Sequence, residues 1–314
     1  MTISSDQQSS LETTAERERK AAEKPTAGLF VAGDLTDQDY ARICRILKEQ
    51  RGFLLDGYKE LVIKRRIAAR IRALGLQNPE TYLDRLEVDQ EEQEKLLAAL
   101  TIHVSQFFRN PSTFAILERR VLPELLQRAR ENRSKLRIWS VGCAGGEEPY
   151  SVALLCRELT QKGDLFSIIA TDLSPTILQN AKRGRFPASR VAEISGETLK
   201  SSFQQEGEYY QLHEPIRQAV RFFRHDVLTD PPFYRADLIL CRNVLIYFSR
   251  DQQQKILGML AETLLPGGYL VLGRAETLVP ACRDLFRCID PAERIYQRLG
   301  DEGANLTQAI HGNA

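Results

Sequence analysis

Residues 136–149 read LRIWSVGCAGGEEP, and this stretch decides the fold. An apolar run of strand length, LRIWSV, is cut by Gly142, and a glycine-bearing turn then opens a helix at EEPYSVALLCREL. A strand that feeds a helix through such a turn is the first unit of an open α/β sheet, whose ligands bind at the carboxyl ends of the strands. The pattern repeats downstream. FSIIATD (166–172) precedes the helix SPTILQNAKRG, and AVRFFRHDV (219–227) and ADLILCRNVLIYF (236–248) give a third and a fourth strand. The helix RDQQQKILGMLAETLLPGG is expected to close at Gly267-Gly268, ahead of a fifth strand, YLVLG. Strands joined by helices predict a mostly parallel sheet covered on both faces, and FRCIDPAERIYQRL predicts a final hairpin of antiparallel edge strands. Residues 187–219 are too long and polar for a loop and predict an inserted subdomain of short strands and a helix.

Upstream the periodicity is helical. LTDQDYARICRILKEQRGF carries Leu35, Tyr40, Ile43 and Leu47 at near-helical spacing, with Thr36 as N-cap and Gly52 as stop. YKELVIKRRIAARIRALGL puts Leu61, Ile67, Ile71 and Leu74 on one stripe, and further helices start after Asn78-Pro79 and near Asp89. A helical domain over 34–105 therefore precedes a sheet domain over 106–299, with polar, flexible tails at 1–33 and 300–314.

The 314 residues hold 43 Lys+Arg against 42 Asp+Glu, a net charge of +1, which argues against a nucleic-acid coat or a membrane-adsorbed protein. A local patch survives that average. Between Lys59 and Arg72 lie Lys59, Lys64, Arg65, Arg66, Arg70 and Arg72 with the single acid Glu60. On a helix, Lys59, Arg66 and Arg70 share a face, a dock for an acidic partner; the alternatives are a solvated face or, against the acidic stretch 84–94, a phosphate-backbone contact. The six cysteines form no C-x-x-C pair and no histidine cluster accompanies them, so reduced thiols and no metal are expected. No run of 18 apolar residues exists and the N-terminus carries no basic-then-apolar signal, so no membrane insertion and a cytoplasmic location are expected.

The turn itself points to a ligand. It lacks the G-x-G-x-x-G spacing, Gly145 lets a ligand approach the backbone, and Glu147-Glu148 would repel a pyrophosphate while suiting a cation. That favours S-adenosylmethionine, a sulfonium with an ammonium, over a dinucleotide; the alternative makes both acids simple helix-start residues. Asp172, ending the second strand, can accept from both ribose hydroxyls, or else cap the next helix, a role Ser174 can also fill. Arg242, Asn243 and Tyr247 follow an apolar strand at the same sheet edge, and TIHVSQFFRNPSTF brings His103, Ser105 and Arg109 just before the sheet domain. His103 reads equally as a structural histidine, and Arg109 as a linker salt bridge.

The combination FFRNP, IWSVGCAGGEEPYS, ATDLS, ILCRNVLIYF and LLPGGYLVLG, spread over roughly residues 34 to 298, resembles the CheR family, the chemotaxis receptor glutamate methyltransferases. The resemblance implies a class I S-adenosylmethionine-dependent methyltransferase domain, Rossmann-like, with an N-terminal helical domain and a small inserted β-subdomain. It implies cofactor contacts at His103, Ser105, Arg109, Glu147, Asp172, Asp226, Val227, Arg242 and Asn243, with Tyr247 near the reactive methyl and Arg109 orienting substrate or cofactor. His103 stands where Asn is common and Ser105 where Thr is common; both still hydrogen-bond. Asp226 replaces a frequent Asn, keeping an acceptor for the adenine amino group and removing a donor. The implied products are glutamyl methyl esters on the cytoplasmic methylation helices of chemoreceptors, and S-adenosylhomocysteine, with the basic helix facing the receptor. Some relatives tether to a receptor C-terminal pentapeptide through the inserted subdomain; QQEGEYYQLHEPIRQ looks short for that loop, so independence of the pentapeptide is expected. The competing functions are methylation of another acidic substrate and cofactor sensing without catalysis.

Overall fold

The computed structural model describes residues 30–100, 105–163, 165–233 and 235–300. Two compact units partition the chain: one ends at Leu54 and resumes over Lys64–Leu96, and the other comprises Leu55–Ile63 and everything from Leu97 onward. Residues 55–63, expected within the helical domain over 34–105, group with the larger unit. Residues 55–63 belong to the larger unit through backbone bonds: the Lys59 N–H donates to the Tyr247 carbonyl at 2.8 Å, the Ser249 N–H donates to the Gly57 carbonyl at 2.8 Å, and Tyr58 forms a bridge with Phe248.

The helical unit is built on α1 (Asp37–Arg51), α2 (Glu60–Ala73), α3 (Pro79–Val88) and α4 (Gln90–Leu100). Thr36 caps α1 by accepting from the Asp39 N–H while the Asp39 carboxylate accepts the Thr36 N–H, and Gly52 ends the helix in a left-handed conformation. Asn78 caps α3, with Pro79 in its first turn. The buried stripe of α2 is Ile63, Ile67 and Ile71, whereas Leu61 is 57 % exposed. Steps of four keep a residue on one helix face, and the step of six from Leu61 to Ile67 does not.

The larger unit enters through α5 (Pro111–Ile116), which runs through a π-type turn into α6 (Leu122–Glu131). There follow β1 (Leu136–Val141), α7 (Glu147–Leu159), β2 (Phe166–Asp172) and α8 (Pro175–Arg183). The inserted subdomain comprises β3 (Arg185–Pro187), α9 (Ala188–Val191), α10 (Gly196–Ser202), β4 (Phe203–Glu206), β5 (Tyr209–Leu212) and α11 (Glu214–Gln218). Then come β6 (Val220–Arg224), β7 (Ala236–Cys241), α12 (Arg250–Thr263), β8 (Leu264–Leu272), β9 (Phe286–Asp290) and β10 (Ile295–Arg298).

Seven strands lie in the order β6-β2-β1-β7-β8-β10-β9, parallel from β6 to β8 and antiparallel across β8, β10 and β9. The chain winds outward from β1 to one side and then, from β7, to the other, so the switch point falls between β1 and β7. Strand alternation divides the core. Leu238, Leu240, Tyr269 and Val271 pack on one face with Leu125, Tyr150 and Leu178, while Ile239, Cys241, Leu270 and Leu272 pack on the other with Ile256, Leu257 and Leu260 of α12. Both faces are covered, as the helix-linked strands predict.

Three boundaries differ from expectation. β7 stops at Cys241, because Asn243 takes φ +60° and turns the chain into a 3₁₀ turn at Leu245–Tyr247. Gly267-Gly268 lie inside β8 and not at a helix end; α12 ends at Thr263, and a Cβ on Gly268 would stand 2.8 Å from the Leu265 carbonyl oxygen. The insert begins at Arg185, two residues early, because that strand completes a three-stranded antiparallel sheet ordered β3-β5-β4.

Candidate active site

The switch point opens as two adjoining cavities. Gly142 ends β1 at φ +65°, and a Cβ there would lie 2.6 Å from Val244 Cγ2, so only glycine lets the turn pass beneath that side chain. The first cavity lies at the carboxyl ends of β1 and β2. Its walls are largely apolar, with Tyr58, Val227 and Phe248, and Asp172 supplies a carboxylate. The second is polar, lined by Ser105, Arg109, Glu148 and Arg242, and shares Gly142, Ala144, Asn243 and Tyr247 with the first. An apolar compartment continuous with a polar one suits a nucleoside bearing an amino-acid arm.

Asp172 ends β2 nearly buried. One carboxylate oxygen accepts the Ala144 N–H and the other the Ser174 N–H, both at 3.0 Å. Ser174, not Asp172, caps α8. Glu147 and Glu148 open α7; Glu147 is buried and Glu148 half-buried, rather than both being solvated at a helix start. Burial pushes the Glu147 carboxyl above its ordinary pKa, opposed by Arg190 and by the Ser105 hydroxyl. Its Oε1 accepts from Arg190 at 2.9 Å; its Oε2 is buried with no hydrogen-bond partner. Glu148 is also pushed up by burial and pulled back by Arg242 at 3.3 Å and by the Ser140 hydroxyl at 2.8 Å.

Arg242 ties the approach segment to the sheet. Its guanidinium donates to the Arg109 carbonyl at 2.7 Å and to Asn110 Oδ1 at 2.8 Å, besides Glu148. Phe108, Asn110, Ala144 and Asn243 all have φ between 48° and 61°, and Ala144 and Asn243 line both cavities. Such conformations cost on the order of 1 kcal/mol each and persist where surrounding bonds over-determine them. For Asn243 the bond comes from Glu276. That buried carboxylate accepts the N–H groups of Asn243 (2.9 Å), Ile246 (3.2 Å) and Gly273 (2.6 Å), and burial still raises its pKa. A Cβ on Gly273 would lie 2.8 Å from the Asn243 nitrogen.

Ser105, Arg109, Asp172, Val227, Arg242, Asn243 and Tyr247 line the cavities, and Gly145 packs behind them, where a Cβ would meet Glu147 Oε2 at 2.7 Å. Asp226 does not stand in the first cavity's wall. Its Oδ1 accepts the Leu228 N–H at 2.9 Å in a tight turn, and His225 takes the wall position. His103 lies outside the described residues. Sequence reasoning missed Glu276, His225, Tyr58 and Arg190; for Glu276 the available signal was an acid three residues after the glycine that ends the last parallel strand.

The basic face predicted from Lys59, Arg66 and Arg70 is not assembled as three cations. Arg70 donates twice to Glu92, at 2.8 and 2.6 Å; Glu92 is fully buried and also accepts from the Tyr82 hydroxyl, so it requires this counter-ion. Lys59 precedes α2 and donates to the Ile246 carbonyl at 2.9 Å. Lys64 pairs with Asp37 at 2.8 Å, and Arg72 donates to the Phe30 carbonyl. Arg65 is exposed and Arg66 half-buried. Among the described residues no helix is long and apolar enough to cross a membrane, and no group of three or more His, Cys, Asp or Glu is placed to hold a metal ion.

Residues 103–295 match the family described as "CheR methyltransferase, SAM binding domain", and residues 38–101 match "CheR methyltransferase, all-alpha domain". A chemotaxis protein methyltransferase of Listeria innocua is 37% identical over 243 residues, covering 77% of this chain and 91% of that protein. Chemotaxis protein methyltransferase 1 of Vibrio cholerae is 30% identical over 253 residues, covering 78% and 90%. The site fits S-adenosylmethionine on its own chemistry: Glu147 Oε2 is a buried acceptor lacking a donor, which an ammonium would satisfy, and Asp172 sets a carboxylate in the wall of the apolar cavity. Matched across both its domains, and with a cavity suited to that cofactor, the chain belongs to the CheR family of S-adenosylmethionine-dependent chemotaxis methyltransferases.

Proposed function

We propose that this chain transfers a methyl group from S-adenosylmethionine to glutamate side-chain carboxylates on the cytoplasmic methylation helices of chemoreceptors, leaving glutamyl methyl esters and S-adenosylhomocysteine. The observation that carries this reading is the polar cavity beside the adenosine compartment. It contains a cation, Arg109, and a phenol, Tyr247, and its one carboxylate, Glu148, is already bonded to Arg242 and Ser140. Such a pocket receives an anionic acceptor and has no spare base to deprotonate a neutral one.

A receptor glutamate, with an ordinary pKa of about 4.3, arrives ionised and needs no base. When bound, S-adenosylmethionine supplies a methyl activated by the adjacent sulfonium. Asp172 holds the ribose hydroxyls and Glu147 the ammonium. Arg109 turns the acceptor carboxylate toward the reacting centre, Tyr247 bounds both compartments, and the surrounding walls exclude water, so catalysis rests on alignment and desolvation.

Docking of the acidic receptor helix is assigned to Arg65 and Arg66 of the basic segment on α2. The inserted hairpin joins β4 to β5 through only Gly207-Glu208, which supports independence of a receptor pentapeptide; saturable binding of that peptide in a titration contradicts this part. The test of the whole reading is peptide mapping of receptor cytoplasmic fragments incubated with enzyme and cofactor. A gain of one methylene on glutamate-bearing peptides, lost when those glutamates are alanine, is expected. Methyl groups on other residue types, or none, overturn it.

A further inference from the structure

We infer that Arg190, carried by the inserted subdomain, is a positioning residue that holds and aims Glu147 toward the amino-acid arm of S-adenosylmethionine. The inference rests on Glu147 as the acceptor for the ammonium. Arg190 sits on α9, and one guanidinium nitrogen donates both to Glu147 Oε1, at 2.9 Å, and to the Ser105 carbonyl. That nitrogen links three pieces distant in sequence: the insert, the start of α7, and the approach segment that carries Ser105 and Arg109. The shared bond leaves the other oxygen of Glu147, Oε2, buried and without a donor.

The insert is fixed where this requires it. Phe186 of β3 meets Phe107 edge-on at 4.9 Å and Tyr150 of α7 at 6.1 Å, and Phe203 of β4 meets Phe107 at 5.7 Å. These contacts pin the base of α9 against both segments that Arg190 joins. Arg190 is a cation near the place of another cation, so its repulsion of the ammonium must be weighed against its hold on Glu147. The Arg190 side chain is 39% exposed and Glu147 only 3%, so solvent screens the guanidinium's charge while the carboxylate stays in a low-dielectric surrounding. Without a partner, burial drives that carboxyl toward its neutral form, a poor acceptor for an ammonium. The hold outweighs the repulsion.

The test is calorimetric binding of two ligands that share the adenosine part, S-adenosylhomocysteine with the amino-acid arm and 5′-methylthioadenosine without it. Arg190→Ala is expected to weaken S-adenosylhomocysteine about tenfold and to change 5′-methylthioadenosine by less than about twofold, and Arg190→Lys to recover most of the loss. Equal weakening of both ligands, no weakening of either, or tighter binding of S-adenosylhomocysteine overturns the inference. Glu147→Gln separates the two claims. If it weakens S-adenosylhomocysteine selectively while Arg190→Ala does not, only the role of Arg190 fails; if it has no selective effect, Glu147 is not the acceptor and both fail. Circular dichroism of each variant establishes that it is folded before its affinities are compared.

Discussion

Glu147 holds a carboxylate in two environments at once, one oxygen on Arg190 and the other buried with no donor. Since burial raises its pKa above the ordinary value, an ammonium-bearing ligand must meet it ionised, and affinity is full above that raised pKa and lost as pH falls through it. Titrating S-adenosylhomocysteine affinity from about pH 8 to pH 5 should therefore give a decline on the acid side that Glu147→Gln abolishes. Glu276 acts differently, as a template for three backbone N–H groups around Asn243. Glu276→Ala leaves buried donors unpaired and should cost about 2–3 kcal/mol of stability in denaturant unfolding, with weakened cofactor binding. Glu147 and Asp172 were legible in the sequence because each sits at a fixed offset from a strand end. Arg190 was not, because its partner Glu147 lies 43 residues away, and for Glu276 the nearby Gly273 hinted at a turn but not at Asn243, 33 residues upstream.

At the scale of elements, local signals and long-range ones part company. The capping residues Thr36, Gly52, Asn78 and Ser174 stand where the sequence places them, since a cap is decided within four residues. Helical spacing alone does not tell which cation of α2 a distant buried acid will claim. Glu92 claims Arg70. Arg70→Ala should destabilise the helical unit by about 3 kcal/mol in urea unfolding, because it strands a buried carboxylate. Arg65→Glu with Arg66→Glu should instead leave stability within about 1 kcal/mol and slow methylation of receptor fragments through KM, with unchanged S-adenosylhomocysteine affinity. A fall in kcat alone would mean that these arginines do not dock the substrate.

Across the molecule, charge is placed rather than accumulated. The net +1 conceals three carboxylates, Glu147, Glu148 and Glu276, that burial pushes above their ordinary pKa at the ligand site. A raised folded-state pKa contributes stability present below the unfolded value and lost as pH rises through the folded one. Asp37, Glu87, Asp89 and Glu293 are lowered by partners and act oppositely, their contributions disappearing only at more acid pH. The ligand-free protein should therefore gain thermal stability as pH falls through those raised values toward the ordinary carboxylate range, and Glu276→Gln should reduce the gain. The doubly covered sheet was readable from its helix-linked strands. The exchange of residues 55–63 into the larger unit was not, since it depends on backbone bonds to Tyr247 and Phe248, nearly 190 residues on.

The central claim, methyl transfer to a carboxylate of a chemoreceptor, is tested most directly by the chemistry of the bond formed. Receptor cytoplasmic fragments labelled with tritiated methyl from S-adenosylmethionine are treated with mild base, and the released radioactivity is collected as methanol. A carboxylate ester yields volatile methanol nearly completely, and that is the expected result. Label that stays on the receptor through base, or no label despite saturating cofactor, contradicts the account.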